Sequence, residues 1–163
     1  MFSIHSFKPI IDENSKVLIL GSIPGPESLK KQQYYANPNN QFWRIIYTVF
    51  DEEAMAPEYE EKVLFLLDHQ IALWDVFHSA DRNGAMDADI KSEVLNDVPG
   101  LIQIYSGIKC ILLAGRKAET SFRKHFAGLN ADVVYVPSTS PAYAKMKLDA
   151  KIEAWKYAIA SAQ

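Results

Sequence analysis

Four short apolar blocks constrain this chain more than any other feature: Val17–Gly21, Ile71–Phe77, Lys109–Gly115 and Val133–Val136. Each is a near-continuous run without strict polar alternation. A sheet with one wet face would alternate at period two, so these blocks read as strands buried on both faces of a parallel sheet. Parallel neighbours need crossover connections, and the gaps between the blocks carry helical spacing. Phe42, Ile45, Ile46, Val49 and Phe50 fall on one helical face, as do Tyr59, Val63, Leu66 and Leu67. Pro99 opens a third helical segment with Leu101, Ile102 and Tyr105, and Ala118, Phe122 and Phe126 mark a fourth. Leu148, Ile152, Trp155 and Ile159 define the last. Strands alternating with helices predict a three-layer α/β/α sandwich around a central four-stranded parallel sheet, with its ligand cleft at the carboxyl ends of the strands.

The 163 residues suit a single domain, 1–163, because two would each be left with little core. Hydrophobic residues make up 48% of the chain, a globular proportion that excludes a disordered tail. No repeat, low-complexity stretch or linker interrupts it. The lone cysteine, Cys110, lies in an apolar block and reads as a small buried hydrophobe, which points to a reducing cytoplasm. Residues 1–11 lack the apolar core of a signal peptide, and no segment approaches a membrane span. A net charge of −3 argues against non-specific coating of nucleic acid, but a compact positive face can coexist with an acidic back. The acidic stretch Asp51–Glu61 reads as such a solvated back.

The segments that follow the strands are where chemistry is expected. After the first strand, Gly21-Ser22-Ile23-Pro24-Gly25-Pro26 packs two glycines and two prolines into a tight loop of exposed amides. Such a loop suits a phosphate, a sugar or a base edge, and equally an ordinary βα turn. The segment Gln32–Trp43 combines Gln32, Gln33, Asn37, Asn39, Asn40 and Gln41 with Tyr34 and Tyr35. It offers an aromatic plane for stacking and amides for reading hydrogen-bonding edges. Asn40 is also placed to cap the helix that follows, and the two roles are compatible. The second block ends in Trp74-Asp75-Val76-Phe77, followed by His78, which reads as a surface or loop histidine, and a polar stretch, Ser79–Asp89. After the fourth block, Ser138-Thr139-Ser140-Pro141-Ala142-Tyr143 sets small hydroxyl residues between prolines, a rigid loop able to meet a phosphate. Lys145, Lys147 and Lys151 follow it, and Arg116, Lys117, Arg123 and Lys124 follow the third block, near the expected cleft rim. No Cys/His spacing suits a metal, and no Gly-x-Ser-x-Gly elbow supports a serine hydrolase.

Taken together, Gly21–Gly25 with Ser28-Leu29, Gln33–Trp43, Ala72–Val76 and Pro137–Ala142 resemble the uracil-DNA glycosylase superfamily, most closely its hypoxanthine (deoxyinosine) branch. The resemblance implies a uracil-DNA glycosylase-like fold and a monofunctional, cofactor-free enzyme of base excision repair. Many relatives hold a water-positioning Asp or Asn where this chain has Ile23, and the hypoxanthine branch instead uses the Asn before the Phe-Trp pair, here Asn40. Tyr35 matches the aromatic that stacks on the flipped base. Ser138–Ala142 match the loop that pinches the DNA backbone, with Ser138 at a position where His is common elsewhere. Asn37 likewise replaces a frequent His. The implied site therefore has Asn40 as the catalytic residue, with Tyr35, Gly21, Ser22, Ile23, Pro24, Gly25, Trp74 and Asp75 around the base. Ser138, Thr139, Ser140, Pro141, Ala142, Tyr143 and Lys145 face the DNA. The expected partner is DNA carrying a deaminated base, bound by a monomer in a prokaryotic-type, nucleoid-containing cytoplasm. Uracil or a broader set of deaminated bases on the same fold remains the nearest alternative, and a non-catalytic nucleotide- or protein-binding domain the more distant one.

Overall fold

A computed structural model describes residues 2–163. The chain runs β1 (Phe2–His5), β2 (Val17–Gly21), α1 (Pro26–Lys31), α2 (Phe42–Val49), α3 (Tyr59–Asp68), β3 (Ile71–Asp75), β4 (Phe77–Arg82), β5 (Lys91–Leu95), α4 (Val98–Ile104), β6 (Cys110–Ala114), α5 (Arg116–His125), β7 (Asp132–Val136) and α6 (Leu148–Ala162). β2, β3, β6 and β7 form the expected four-stranded parallel sheet in the order β3-β2-β6-β7.

Burial on both faces explains the apolar blocks. Val17 and Ile19 of β2, Ile71 and Leu73 of β3, and Cys110 and Leu112 of β6 point into one core with Phe42, Ile45 and Ile46 of α2 and Trp155 and Ile159 of α6. The intervening Leu18, Leu20, Ala72, Ile111 and Leu113 point into the other, with Val98 at the start of α4 and Ala118 and Phe122 of α5. Alternate residues thus serve opposite cores, and neither set can be polar.

The structure departs from the sequence reading at the end of β3. The expected strand Ile71–Phe77 is divided at Val76, and Phe77–Arg82 leaves the parallel sheet as β4, the centre of a three-stranded antiparallel sheet ordered β1-β4-β5. The polar stretch Ser79–Asp89 thus opens as strand through Arg82 and ends in a short 3-10 turn at Asp87–Asp89. Its polarity has a simple cause: β4 is only partly buried, with Phe77, Ala80 and Arg82 inside, Ser79 and Asp81 half-buried and His78 exposed. α1 was likewise hidden inside the Gly/Pro loop.

Asn96, itself buried, secures the division. Its Nδ2 donates to the carbonyls of Asp75 at 2.8 Å and Phe77 at 3.2 Å, on either side of the break. Asn96→Ala removes the donor these carbonyls share, and such buried losses cost about 1–3 kcal/mol. Urea unfolding should show a loss in this range, whereas Asn83→Ala at an exposed turn should leave the midpoint nearly unchanged.

Candidate active site

The order β3-β2-β6-β7 places a topological switch point between β2 and β6, because the chain leaves these two neighbours in opposite directions. A cavity of about 480 Å³ opens at the carboxyl ends of the strands there. Ser22–Ser28, Tyr34, Tyr35, Asn37, Asn40, Asp75, the β6–α5 turn Ala114–Lys117 and Ser138–Tyr143 line it, together with Arg82 and Ala85–Ala88 from the second sheet. A second cavity of about 290 Å³, between Phe122, Phe126, Leu129 and Val133, lies by the amino end of β7 and is walled by apolar groups with Arg123. It lacks convergent polar groups, so the strand-end cavity is the candidate site.

At its base, parallel register sets Gly21 opposite Asp75. A Cβ on Gly21 would stand 2.8 Å from Asp75 Oδ1 and 3.0 Å from Tyr35 Oη, so only glycine allows these groups to converge there. Asp75 is 4% exposed, and its Oδ2 has no hydrogen-bond partner among the described residues. Burial, and secondarily the charge of Asp87, push its carboxyl up from 3.8 to about 7. Tyr35 holds a left-handed backbone conformation, φ 54°, which an aromatic residue adopts at a cost and which often marks functional sites. Its ring stacks on Phe42 with centroids 4.1 Å apart and planes 14° from parallel. Burial and the Asp75 charge keep its phenol protonated.

Asn40 sits at the end of a tight turn in which its N–H donates to Asn37 O, while Asn37 Oδ1 accepts from Asn39 N. Asn40 Oδ1 accepts from Phe42 N at 2.9 Å, which fixes which end of the amide is oxygen. The capping role is thus real, although it is exerted from one residue upstream of the formal cap, Gln41. One Oδ1 lone pair remains, and Nδ2 has no protein partner among the described residues. Gln41 then anchors the turn twice. Its N–H donates to Thr139 O at 3.0 Å, and its Oε1 accepts from the buried Lys151 Nζ at 2.8 Å. Trp155 Nε1 donates to Pro137 O, so α6 holds both loops.

The Ser138–Tyr143 loop is shaped by its own hydroxyls. Ser138 Oγ accepts from Ser140 N and Ser140 Oγ from Ala142 N, leaving Pro141 and Ala142 exposed at the tip. Arg116 lies 3.8 Å over the Tyr135 ring, but it is paired with Glu119, and Lys117 with Glu93. The positive rim expected from the sequence is thus partly neutralised. On the opposite wall Ser22 Oγ donates to Asp87 Oδ1 at 2.7 Å, and Arg82 donates to Pro24 O and Gly84 O, both at 2.8 Å.

Most residues expected from the sequence converge here. Ser22, Ile23, Pro24, Gly25, Tyr35, Asn40, Asp75 and Ser138–Tyr143 line one cavity, with Gly21 beneath it. Trp74 does not line it: its indole N–H donates to Phe7 O and its ring packs in a core. Lys145 is exposed on the approach to α6, outside the cavity wall. Arg82, Asp87 and Tyr135 escaped the sequence reading, and Lys151, read as a rim cation, is instead buried against Gln41. Asp87 and Arg82 arrive through the second sheet, whose presence no apolar block announces. Lys151 looks like any helix-surface lysine until α6 is docked.

The raised pKa of Asp75 makes stability depend on pH. The folded state holds this proton up to about pH 7, whereas the unfolded chain releases it near 3.8. The fold therefore binds the extra proton, and stability falls as pH rises through that window, by a few kcal/mol in all. Chemical unfolding of the wild type and Asp75→Asn from pH 4 to 8 should show a difference that grows in favour of Asn up to about pH 7 and then levels. A difference independent of pH would refute this.

Comparison with known proteins agrees with this geometry. Residues 9–159 match the model of the Uracil DNA glycosylase superfamily. The chain is 38% identical over 138 residues to a hypoxanthine DNA glycosylase of Methanosarcina acetivorans, covering 85% of this chain and 87% of that one. It is 39% identical over 114 residues to a hypoxanthine DNA glycosylase of Methanosarcina barkeri, covering 70% and 72%. The solution NMR structure of a candidate uracil DNA glycosylase from Methanosarcina acetivorans superposes with a TM-score of 0.86 at 34% identity over 99% of both chains. With a family match that runs through the parallel sheet and every loop of the cavity, the chain belongs to the uracil DNA glycosylase superfamily.

Proposed function

We propose that this protein is a monofunctional DNA glycosylase that flips a deaminated base, hypoxanthine first among them, out of DNA and hydrolyses its N-glycosidic bond. The observation that carries the reading is the meeting of Tyr35, Asn40 and Asp75 in one strand-end cavity under the Ser138–Tyr143 loop. Flipping costs a few kcal/mol of stacking and pairing. Tyr35, backed on one face by Phe42, returns part of that by stacking its other face on the base. The Ser138–Tyr143 loop grips the distorted strand through its hydroxyl hydrogens, with the exposed Pro141-Ala142 tip near the vacated space.

Cleavage passes through a sugar with oxocarbenium character. The water that meets this cation needs orientation more than deprotonation, which an amide can supply. Asn40 suits that task because its Oδ1 is fixed by Phe42 N and retains a lone pair. Lys117 is the only lysine among the residues that line the cavity, and it is paired with Glu93 at 2.9 Å, so a Schiff-base lyase step has no support here. Hypoxanthine is favoured as substrate because the two sequence relatives bear that name. Uracil stands as the second reading, motivated by the structural relative described as a candidate uracil DNA glycosylase. We also propose a monomer acting in a reducing, nucleoid-containing cytoplasm, consistent with the buried, unpaired thiol of Cys110.

The decisive assay offers duplexes carrying inosine, uracil, xanthine or a thymine mismatch, without added metal, and scores alkali-labile abasic sites. Release from inosine duplex ahead of the others is expected; release from none removes the glycosylase reading. Asn40→Ala should lower single-turnover release by on the order of 100-fold or more while leaving duplex affinity nearly unchanged. Full activity in a folded Asn40→Ala protein would overturn the assignment.

A further inference from the structure

Among the described residues, Asp75 Oδ2 is the one buried side-chain polar atom with no hydrogen-bond partner. Proteins rarely leave such an atom orphaned, because the lost hydration is not returned. The residue lines the base cavity, at the position where Gly21 lacks a side chain and the Tyr35 hydroxyl also arrives. The flipped base, on the reading above, reaches this wall. An ionised carboxylate there would repel a purine departing as an anion and raise the barrier. A neutral carboxylic acid in the same place does the opposite.

We propose that Asp75 is the proton donor to the departing base. As the C1′–N9 bond breaks, its electron pair passes to the purine, and the Asp75 O–H proton moves to an acceptor of the purine ring system (N7, N3 or O6). The base leaves neutral and Asp75 becomes a carboxylate beside the cationic sugar. Water oriented by Asn40 then forms the new C1′–O bond, and the proton it sheds returns to the carboxylate through solvent. The sum is hydrolysis, with no other reactant required.

The groups around Asp75 favour its acid form. Asp87 faces it from the 3-10 turn and is held at the rim by Ser22. Tyr35 and Tyr34 face it from the preceding loop as neutral phenols. Arg82 on β4 is turned to the carbonyls of Pro24 and Gly84, and Arg116 and Lys117 on α5 are paired with Glu119 and Glu93. None of the three cations forms an ion pair with Asp75. Its carboxyl sits up at about 7, chiefly through burial, and bound DNA phosphates push in the same direction.

The inference rests on the glycosylase reading, and its test separates the two. Single-turnover release of hypoxanthine is followed from pH 5.5 to 9 for the wild type, Asp75→Asn and Asp75→Glu, with folding checked by circular dichroism. The wild-type rate should fall with rising pH along a limb at or above pH 7. Asp75→Asn, which keeps the shape and hydrogen bonding but holds no transferable proton, should lose about 100-fold at pH 6 and lose the limb. Asp75→Glu should restore the limb. A flat wild-type profile, or an Asp75→Asn enzyme with the wild-type rate and limb, overturns the proton-donor role while leaving the glycosylase standing. Should Asp75→Asn fail to fold, the wild-type profile with Asp75→Glu decides alone. A wild type that releases no base from any duplex removes the underlying reading and this one with it.

Discussion

The close approach at the carboxyl ends of β2 and β3 governs the rest of the site. Parallel register pairs Gly21 with Asp75, and the missing Cβ leaves a space into which the Asp75 carboxyl and the Tyr35 hydroxyl both project. Any side chain at residue 21 would drive these groups apart. The same backbone continues the effect: Gly21 O and Ser22 O accept from Val76 N and Phe77 N, so the first loop is sewn to the point where β3 gives way to β4. The cavity floor, the first loop and the second sheet are therefore one mechanical unit. Arg82 closes it from the far side through Pro24 O.

A second unit holds the opposite wall. Gln41 follows Asn40 directly, and its backbone and side chain bind Thr139 and Lys151 at once. The residue proposed to orient water and the loop proposed to grip the strand thus share one anchor. A shift of α6 would move both together, which preserves their spacing. This rigidity matters because the cost of misplacing a water by even about 1 Å is large.

The parallel sheet was legible because physics leaves little choice for four two-face-buried strands, and Val17–Gly21 and its partners announced themselves. The tyrosine–amide segment and the Ser138–Tyr143 loop were legible from composition, since density of that kind has few structural uses. The antiparallel sheet was not. Its strands are short and the burial of β4 is irregular, without period-two alternation, so Phe77 reads as the end of one strand and Ser79–Arg82 as part of a polar stretch. Arg82 and Asp87 were lost with it. Trp74 shows the converse: it is adjacent in sequence to Asp75, but strand alternation sends consecutive side chains to opposite faces. Its indole instead bonds Phe7 O.

Charge shows why local chemistry outweighs composition here. The chain carries a net charge of −3, and the two α5 cations at the cleft are paired: Arg116 with Glu119, which Arg123 shares, and Lys117 with Glu93. Lys151 differs. It is 1% exposed, burial lowers its pKa, and its one hydrogen-bond partner is the neutral Gln41 Oε1. A buried charge answered by an amide rather than a carboxylate keeps its field, and that field is screened less by salt than a surface lysine's. Tyr143, whose ring centroid lies 5.4 Å from Lys151 Nζ, places this charge against the loop proposed to face the DNA backbone. On the proposed reading, attraction for phosphate comes from inside the fold at the gripping loop, and an acidic surface elsewhere does not oppose it beyond a Debye length of about 10 Å.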